Sequence, residues 1–242
     1  MSRHDSAGHR CVRCRMHLTL CICALLPRIE TRTRVVLLLH QLEARKTTNT
    51  GRIAALCLAG SRVAIRGRPD GDGSGDGDVE GDGDGGGDGD DGRLWAADSD
   101  PLLLFPHEGA RPLESWRGSI RPLTLIVPDG TWSQAGRARR RVPGLADIPC
   151  AVIPASAALG APPFRLRRDH RPGRLSTLAA IAIALGVLEG EAVQRALERV
   201  LAVMVDRTLW TNGRIRTADV TGGIPAGVAS HQPAGRGQPG AV

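Results

Sequence analysis

The chain has 242 residues, enough for one large domain or one domain with an appendage, and 41% of them are hydrophobic. Its net charge of +7 understates its basic character, because residues 70–92 contain ten acidic residues and no basic one. This balance favours a polyanionic partner such as nucleic acid, with a merely solvated arginine-rich surface as the alternative. The start "MSRHDSAGHRC" lacks the apolar core of a signal peptide, and the longest apolar run, residues 175–188, is too short for a membrane span. We therefore expect a cytoplasmic protein without membrane contact and with reduced cysteines.

Four cysteines cluster within residues 1–30, in the pattern Cys11-x2-Cys14-x6-Cys21-x-Cys23. In a reduced chain such a cluster indicates a metal before disulfides, and four thiolates can close a tetrahedral Zn2+ site with no open position. We predict a small structural zinc-binding segment over these residues; the alternative is four unrelated buried thiols.

Strand and helix signals alternate over residues 31–212, which predicts one α/β domain with a mostly parallel sheet flanked by helices. "SRVAIRG" alternates like a strand, and four apolar runs predict buried strands: "RVVLLLH", "PLLLFP", "PLTLIVP" and "PCAVIP". Helices are predicted at residues 49–60, between Thr131 and Pro143, and at residues 176–190 and 191–210.

Two stretches have the composition of disordered chain. In the Asp/Gly-rich residues 70–92, Val79 is the only large apolar residue, which favours a disordered insertion over a calcium-binding roll. Residues 213–242 are rich in Gly, Pro and Arg without apolar periodicity, which predicts a disordered tail.

The loop after His40 is a candidate site, because ligands of a parallel sheet bind at the carboxyl ends of its strands. Thr48 or Asn49 can cap the helix that follows. The backbone N–H groups at the start of that helix, with Lys46 and Arg52 nearby, would suit an anion. Ordinary capping with exposed charges explains the same residues.

Three further residues of this stretch are also candidates for the site. Gly51 would let a ligand approach the backbone closely. His40 and Glu43 are either a catalytic pair or partners in a hydrogen bond that stabilises the loop.

Asp129 directly follows another apolar run, in the stretch "PDGTWSQA". Thr131 and Gln134 match a capping box, which explains both residues without any function. Capping does not explain Asp129, and a carboxylate at a strand end can act as a base or bind a donor group.

Arginines are concentrated in two places near these loops. Arg137, Arg140 and Arg141 share one face of the predicted helix and would form a ridge that binds phosphates. The basic stretch "PPFRLRRDHRPGRL" precedes a helix that Ser176 can cap, and substrate contact explains it better than a bland loop.

Four segments together resemble the DTW-domain family, which takes its name from an Asp-x-Thr-Trp motif, here "DGTW". They follow the family's order: "CVRCRMHLTLCIC", "HQLEARKTTNTGR", "PDGTWSQA" and "FRLRRDHRPGRLSTLAAIA". The resemblance spans roughly residues 11–210 apart from the Asp/Gly insertion. It implies a SPOUT-like fold with a C-terminal knot and the cofactor held near that knot.

The resemblance also implies an activity. Members transfer the 3-amino-3-carboxypropyl group of S-adenosylmethionine to N3 of a tRNA uridine and release methylthioadenosine. Because N3 is a poor nucleophile until its proton is removed, Asp129 is the expected base. Trp132 would stack on a base of the substrates in the catalytic site, or pack in the core.

The matched segments assign the other residues. Those expected to bind S-adenosylmethionine are His40, Glu43, Asn49, Thr50, Gly51, Leu175, Ser176 and Thr177. Those expected to bind RNA are Lys46, Arg52, Arg137, Arg140, Arg141, Arg165 and Arg167.

The chain departs from the family pattern at Phe164, where Tyr is frequent, and at Ala179, where Glu is usual and could complete a capping box with Ser176. An RNA methyltransferase with the same cofactor and a non-enzymatic, zinc-containing RNA-binding protein are the alternative functions. No segment indicates an obligatory protein partner.

Overall fold

The computed structural model describes residues 9–44, 46–47, 49–66, 80–81, 93–161, 164–166 and 174–228. The strands are β1 (Arg34–His40), β2 (Arg62–Arg66), β3 (Glu80–Gly81), β4 (Asp100–Leu104), β5 (Arg111–Pro112), β6 (Leu123–Asp129) and β7 (Cys150–Val152). The α-helices are α1 (Gln41–Ala44), α2 (Thr50–Cys57), α3 (Trp132–Arg141), α4 (Ala155–Gly160), α5 (Thr177–Glu189) and α6 (Glu191–Thr211).

The strands form one sheet in the order β3-β2-β1-β6-β4-β7-β5. All neighbouring pairs are parallel except β2 with β3, so the predicted α/β fold with a mostly parallel sheet is confirmed. The central strands β1 and β6 are apolar at nearly every position because both faces of the sheet are covered. Their register pairs Leu39 with Asp129, so the loops after β1 and β6 meet at one edge of the sheet.

The helices divide the core between the two faces. One apolar cluster packs the sheet against α2, α5 and α6, and a second cluster includes residues of α3 and of the turn after it. Helix α5 is apolar nearly all round, because it lies between the sheet, α2 and α6. Gly190, with φ of 115°, ends α5 and starts α6 as predicted.

Helix α2 is shorter than the pattern predicts. It ends at Cys57 rather than at Gly60, because Leu58 is extended and forms a parallel bridge with Ile29. Hydrogen bonds from Ile29 N–H to Cys57 O and from Ala59 N–H to Ile29 O hold this bridge. The bridge to Ile29, in the connection between the cysteine segment and β1, therefore replaces the last predicted turn of the helix.

The prediction of a disordered tail from residue 213 is wrong for residues 213–228. Val220 is buried against Leu20 and Trp210, and the Trp210 indole Nε1 donates a 3.0 Å hydrogen bond to Thr217 Oγ1. Contacts with the end of α6 order this part of the chain although it lacks periodicity. The rest of the tail lies outside the described residues.

Of the Asp/Gly insertion, the structure describes only Glu80–Gly81, which pair antiparallel with β2 as β3 and so depart from the predicted disorder. The rest of residues 70–92 lies outside the described part of the chain. Among the described helices, none has both the length and the apolar character of a membrane span.

Candidate active site

The carboxylate of Asp129 is held at the end of β6 by two side chains from distant segments. Asn49 Nδ2 donates to its Oδ2 at 2.7 Å, and Thr177 Oγ1 donates to its Oδ1 at 2.7 Å. The residue is only 9% exposed. Each oxygen therefore has a fixed donor, and the orientation of the carboxylate plane is defined.

Two helices begin beside this carboxylate. Asn49 caps α2 by accepting a hydrogen bond from Arg52 N–H at 2.9 Å, and Ser176 caps α5 by accepting from Ala179 N–H at 3.2 Å. The partial positive charge of both helix starts favours an anion here. Thr48, the other candidate cap, lies outside the described residues. Although Ala179 stands where the family usually has Glu, its backbone N–H still donates to Ser176, so this half of the capping box is kept.

Gly51 is required by packing inside the protein. A Cβ at this position would lie 2.7 Å from Asp129 Oδ2, 2.8 Å from Leu37 Cδ1 and 3.0 Å from Thr177 Cγ2. The glycine therefore lets the start of α2 approach Asp129 and α5 closely. This is a different reason from the expected approach of a ligand to the backbone.

A cleft of about 200 Å3 opens in front of these groups. Its lining residues are Glu43, Lys46, Asn49, Thr50, Asp129, Phe164, Leu166 and Thr177. Five predicted cofactor or catalytic residues are among them, whereas Gly51 and Ser176 support the cleft from behind as buried residues. Phe164 and Leu166 were not predicted to line the site, although the motif that contains them was singled out.

Glu43 and His40 do not form the expected hydrogen-bonded pair. Glu43 Oε1 accepts a 2.6 Å hydrogen bond from Lys46 Nζ instead. His40 Nδ1 accepts from Leu42 N–H at 3.3 Å and lies 3.3 Å from Gln134 Nε2. Lys46, expected to bind RNA, is therefore one half of an ion pair at the cleft.

His40 lies in a basic environment that sequence reasoning did not identify. Burial, together with the charges of Arg66 and Arg137, lowers the pKa of His40, so the imidazole is neutral at pH 7. Arg66 ends β2 opposite His40 and donates a 2.6 Å hydrogen bond to Gln134 O. The sequence could have indicated Arg66 as a site residue, because Arg66 lies at the end of the predicted alternating strand.

Trp132, at the first position of α3, is 64% exposed, which excludes the core position considered for it. Its ring lies 6.2 Å from that of Phe105 at an angle of 48°. The predicted capping box of Thr131 and Gln134 is confirmed. The exposed indole therefore lies on a well-defined helix start, beside Phe105, which directly follows β4.

The predicted arginine ridge is present on α3, where Arg137, Arg140 and Arg141 are exposed. Arg139 is turned aside and donates to Ala146 O at 3.2 Å. Arg165 lies 3.4 Å from the carboxylate of Asp206, an ion pair that was not expected.

The other predicted site residues give less information. Arg52 contributes its backbone N–H to the cap of α2, Leu175 is half-buried before α5, and Arg167 lies outside the described residues.

The DTW domain family model matches residues 8–209. The chain belongs to the DTW domain family. It is 27% identical over 184 residues to tRNA-uridine aminocarboxypropyltransferase 2 of Drosophila melanogaster, covering 75% of this chain and 67% of the relative. It is 27% identical over 219 residues to the Mus musculus protein of the same name, covering 88% of this chain and 68% of the relative. No solved structure gives a significant match.

Four of the six cysteines, Cys11, Cys14, Cys21 and Cys23, come together at the N-terminal end of this DTW domain. Their Sγ atoms all lie within 4.8 Å of one another, with Cys11 and Cys23 3.6 Å apart and Cys14 and Cys21 3.7 Å apart. A tetrahedral Zn2+ with Zn–S bonds of about 2.3 Å requires sulfur separations of about 3.8 Å, so the donor set fits zinc.

The surroundings shift the pKa values of the thiols in different directions. A hydrogen bond from the Cys14 backbone N–H lowers the pKa of Cys11 to about 6, whereas burial raises the pKa of Cys14 and Cys23. A bound cation would stabilise the thiolate form that burial disfavours.

Proposed function

We propose that this DTW domain transfers the 3-amino-3-carboxypropyl group of S-adenosylmethionine to N3 of a uridine in tRNA. The observation that carries the proposal is the oriented, buried carboxylate of Asp129 at the cleft, in a chain whose relatives bear the name tRNA-uridine aminocarboxypropyltransferase.

Asp129 is the proposed base. It takes the proton of uridine N3, and the lone pair of N3 attacks the Cγ carbon of the methionine part of S-adenosylmethionine. The N3–C bond forms while the C–S bond breaks, and the electron pair of that bond neutralises the sulfonium to give methylthioadenosine. Because the sulfonium bears three carbons, transfer of the correct group depends on orientation.

The cleft offers complementary groups for the amino-acid part of S-adenosylmethionine. The carboxylate of Glu43 suits the ammonium group, and the backbone N–H groups at the start of α2 suit the carboxylate. Phe164 and Leu166 supply apolar surface to the cleft, and Thr50 and Thr177 also line it.

The uridine would stack on Trp132, whose exposed indole follows Asp129 by three positions. Phosphates of the tRNA would contact the exposed arginines of α3. We extend this role to Lys46, Arg52, Arg165 and Arg167 on the strength of the motifs that contain them.

We further propose a SPOUT-like arrangement with a C-terminal knot. Membership of the DTW domain family supports it, because the family resemblance implies such a knot. Because the proposed substrate is tRNA, we propose that the enzyme acts in the cytoplasm. We also propose a structural Zn2+ bound by Cys11, Cys14, Cys21 and Cys23.

Product analysis tests the proposal. Purified protein is incubated with S-adenosylmethionine and unmodified tRNA, and the nucleosides and sulfur products are measured by mass spectrometry. We expect methylthioadenosine and an aminocarboxypropyl-uridine in equal amounts. S-Adenosylhomocysteine with a methylated base would show a methyltransferase instead, and tRNA binding without any product would show a non-enzymatic RNA-binding protein.

A further inference from the structure

The zinc segment, residues 9–29, has a basic surface without carboxylates of its own. It contains Arg10, Arg13, Arg15 and Arg28 and no acidic residue. Arg13 and Arg15 are exposed, and Arg10 is half-buried. None of these positions was included among the predicted RNA contacts.

Three of these arginines have no carboxylate partner among the described residues; Arg28 lies 3.9 Å from Glu30. Arg10 donates a 3.2 Å hydrogen bond to Arg15 O, which stabilises the turn at residues 11–15. The turn is also closed by a hydrogen bond from Arg15 N–H to Cys11 O at 2.9 Å. The guanidinium groups of Arg13 and Arg15 are thus exposed charges on a folded turn.

The zinc segment is anchored to the C-terminal half of α6. Arg207, which is 3% exposed, donates to Leu20 O at 3.2 Å and to Cys21 O at 2.8 Å. A buried guanidinium that hydrogen-bonds the backbone of the segment fixes its position on the helix.

The preceding residue of α6 anchors the wall of the cleft. Asp206 forms the ion pair with Arg165, whose neighbours Phe164 and Leu166 line the cleft. Successive residues of one helix therefore hold the zinc segment and the cleft wall. The zinc segment and the cleft wall are thus joined through α6.

We propose that the zinc segment is a second binding surface for the phosphate backbone of the substrate RNA, with Arg13 and Arg15 as its principal contacts. Guanidinium groups match phosphate oxygens in charge and geometry. RNA is favoured over an acidic protein because the arginines of α3 and of this turn belong to one chain with a proposed tRNA substrate, and in that respect the inference rests on the proposed function.

The test is the affinity for unmodified tRNA, measured by fluorescence anisotropy over a range of NaCl concentrations. Arg13→Gln/Arg15→Gln is compared with Arg195→Gln/Arg216→Gln. The control removes the same charge from two exposed arginines that lie outside the zinc segment and are already paired with Glu191 and Asp219.

Each lost phosphate contact reduces the slope of log K against log salt by about 0.7 to 0.9. Two contacts therefore predict a slope smaller by about 1.4 to 1.8 and binding weaker by about 10- to 30-fold at about 0.15 M salt. The control should stay within about twofold of the wild type, because its arginines do not belong to the proposed surface. Zinc content is measured in all three proteins, so that loss of the folded segment is recognised.

Unchanged tRNA affinity in the Arg13→Gln/Arg15→Gln protein would overturn the inference, and so would an equal loss in both double variants. Binding that is unchanged for tRNA but lost for an acidic polypeptide such as polyglutamate would assign the surface to proteins. The assay requires no turnover, so it is decided separately from the product analysis that tests the proposed function.

Discussion

Asp129→Asn is the sharpest test of the proposed base, because the structure shows how an amide can be accommodated there. Asn49 and Thr177 both donate hydrogen bonds to Asp129. Asn49 cannot reverse its amide, since its oxygen accepts from Arg52 N–H. The Thr177 hydroxyl can rotate and accept from the new amide nitrogen.

The variant should therefore fold with a loss of about 1 to 2 kcal/mol, the scale of a weakened buried hydrogen bond. Its kcat should fall about 100- to 10,000-fold, the usual contribution of a general base. That range corresponds to about 2.7 to 5.4 kcal/mol in activation free energy. The KM for S-adenosylmethionine should change little, because the amide keeps the shape of the cleft.

Single-turnover formation of methylthioadenosine, with the variant in excess over tRNA, measures the chemical step alone. The residual rate should rise with pH, because solvent must then remove the N3 proton. Asp147→Asn, at an exposed position, is the matched control. A variant of Asp129 with full activity would refute the reasoning, and loss of S-adenosylmethionine binding with unchanged chemistry in bound complexes would show a binding role instead.

Four further results follow from the same geometry. Trp132→Ala should change stability by less than about 0.5 kcal/mol, because the side chain is exposed, while the KM for tRNA rises about 5- to 150-fold through lost stacking; the opposite pattern in melting and kinetic assays would contradict stacking. Gly51→Ala should lower the free energy of unfolding in urea by about 1 to 3 kcal/mol through the clash with Asp129, and an unchanged midpoint would show that α2 can shift. The lowered pKa of His40 means that the unfolded chain binds the proton more readily, so stability should be lost as pH falls through about 6.5. In His40→Gln the urea midpoint should therefore change less between pH 7 and pH 5 than in the wild type, and an equal change in both proteins would contradict this role of His40. Cys14→Ala should abolish binding of about one Zn2+ per chain by metal analysis, and a metal-free, fully active wild type would contradict a structural role.

Local features of this fold could be predicted because neighbouring residues determine them. The capping box of Thr131 and Gln134 and the caps at Asn49 and Ser176 depend on residues three positions away. The buried strands β1 and β6 depend on runs that are apolar at nearly every position. In each case the physical cause lies within a few residues, so the pattern contains it.

Contacts between distant segments could not be predicted in this way. Asp129 meets Asn49, 80 residues earlier, and Thr177, 48 residues later, through the packing of two helices on one strand end. Likewise, Val220 is buried in a cluster with Leu20, which lies 200 residues earlier in the chain, and Trp210. Neither arrangement leaves a periodic trace in the local sequence.

Asn49 explains why the base and the proposed cofactor-binding helix form one unit. Its oxygen accepts the cap hydrogen bond of α2, while its nitrogen donates to Asp129. Aspartate would cap the helix equally well, but it has no donor and would place a second negative charge against Asp129. An asparagine satisfies both demands with one planar group, because its two ends have opposite hydrogen-bonding character. The same side chain therefore fixes where α2 begins and how the Asp129 carboxylate is turned, so that the two cannot shift independently.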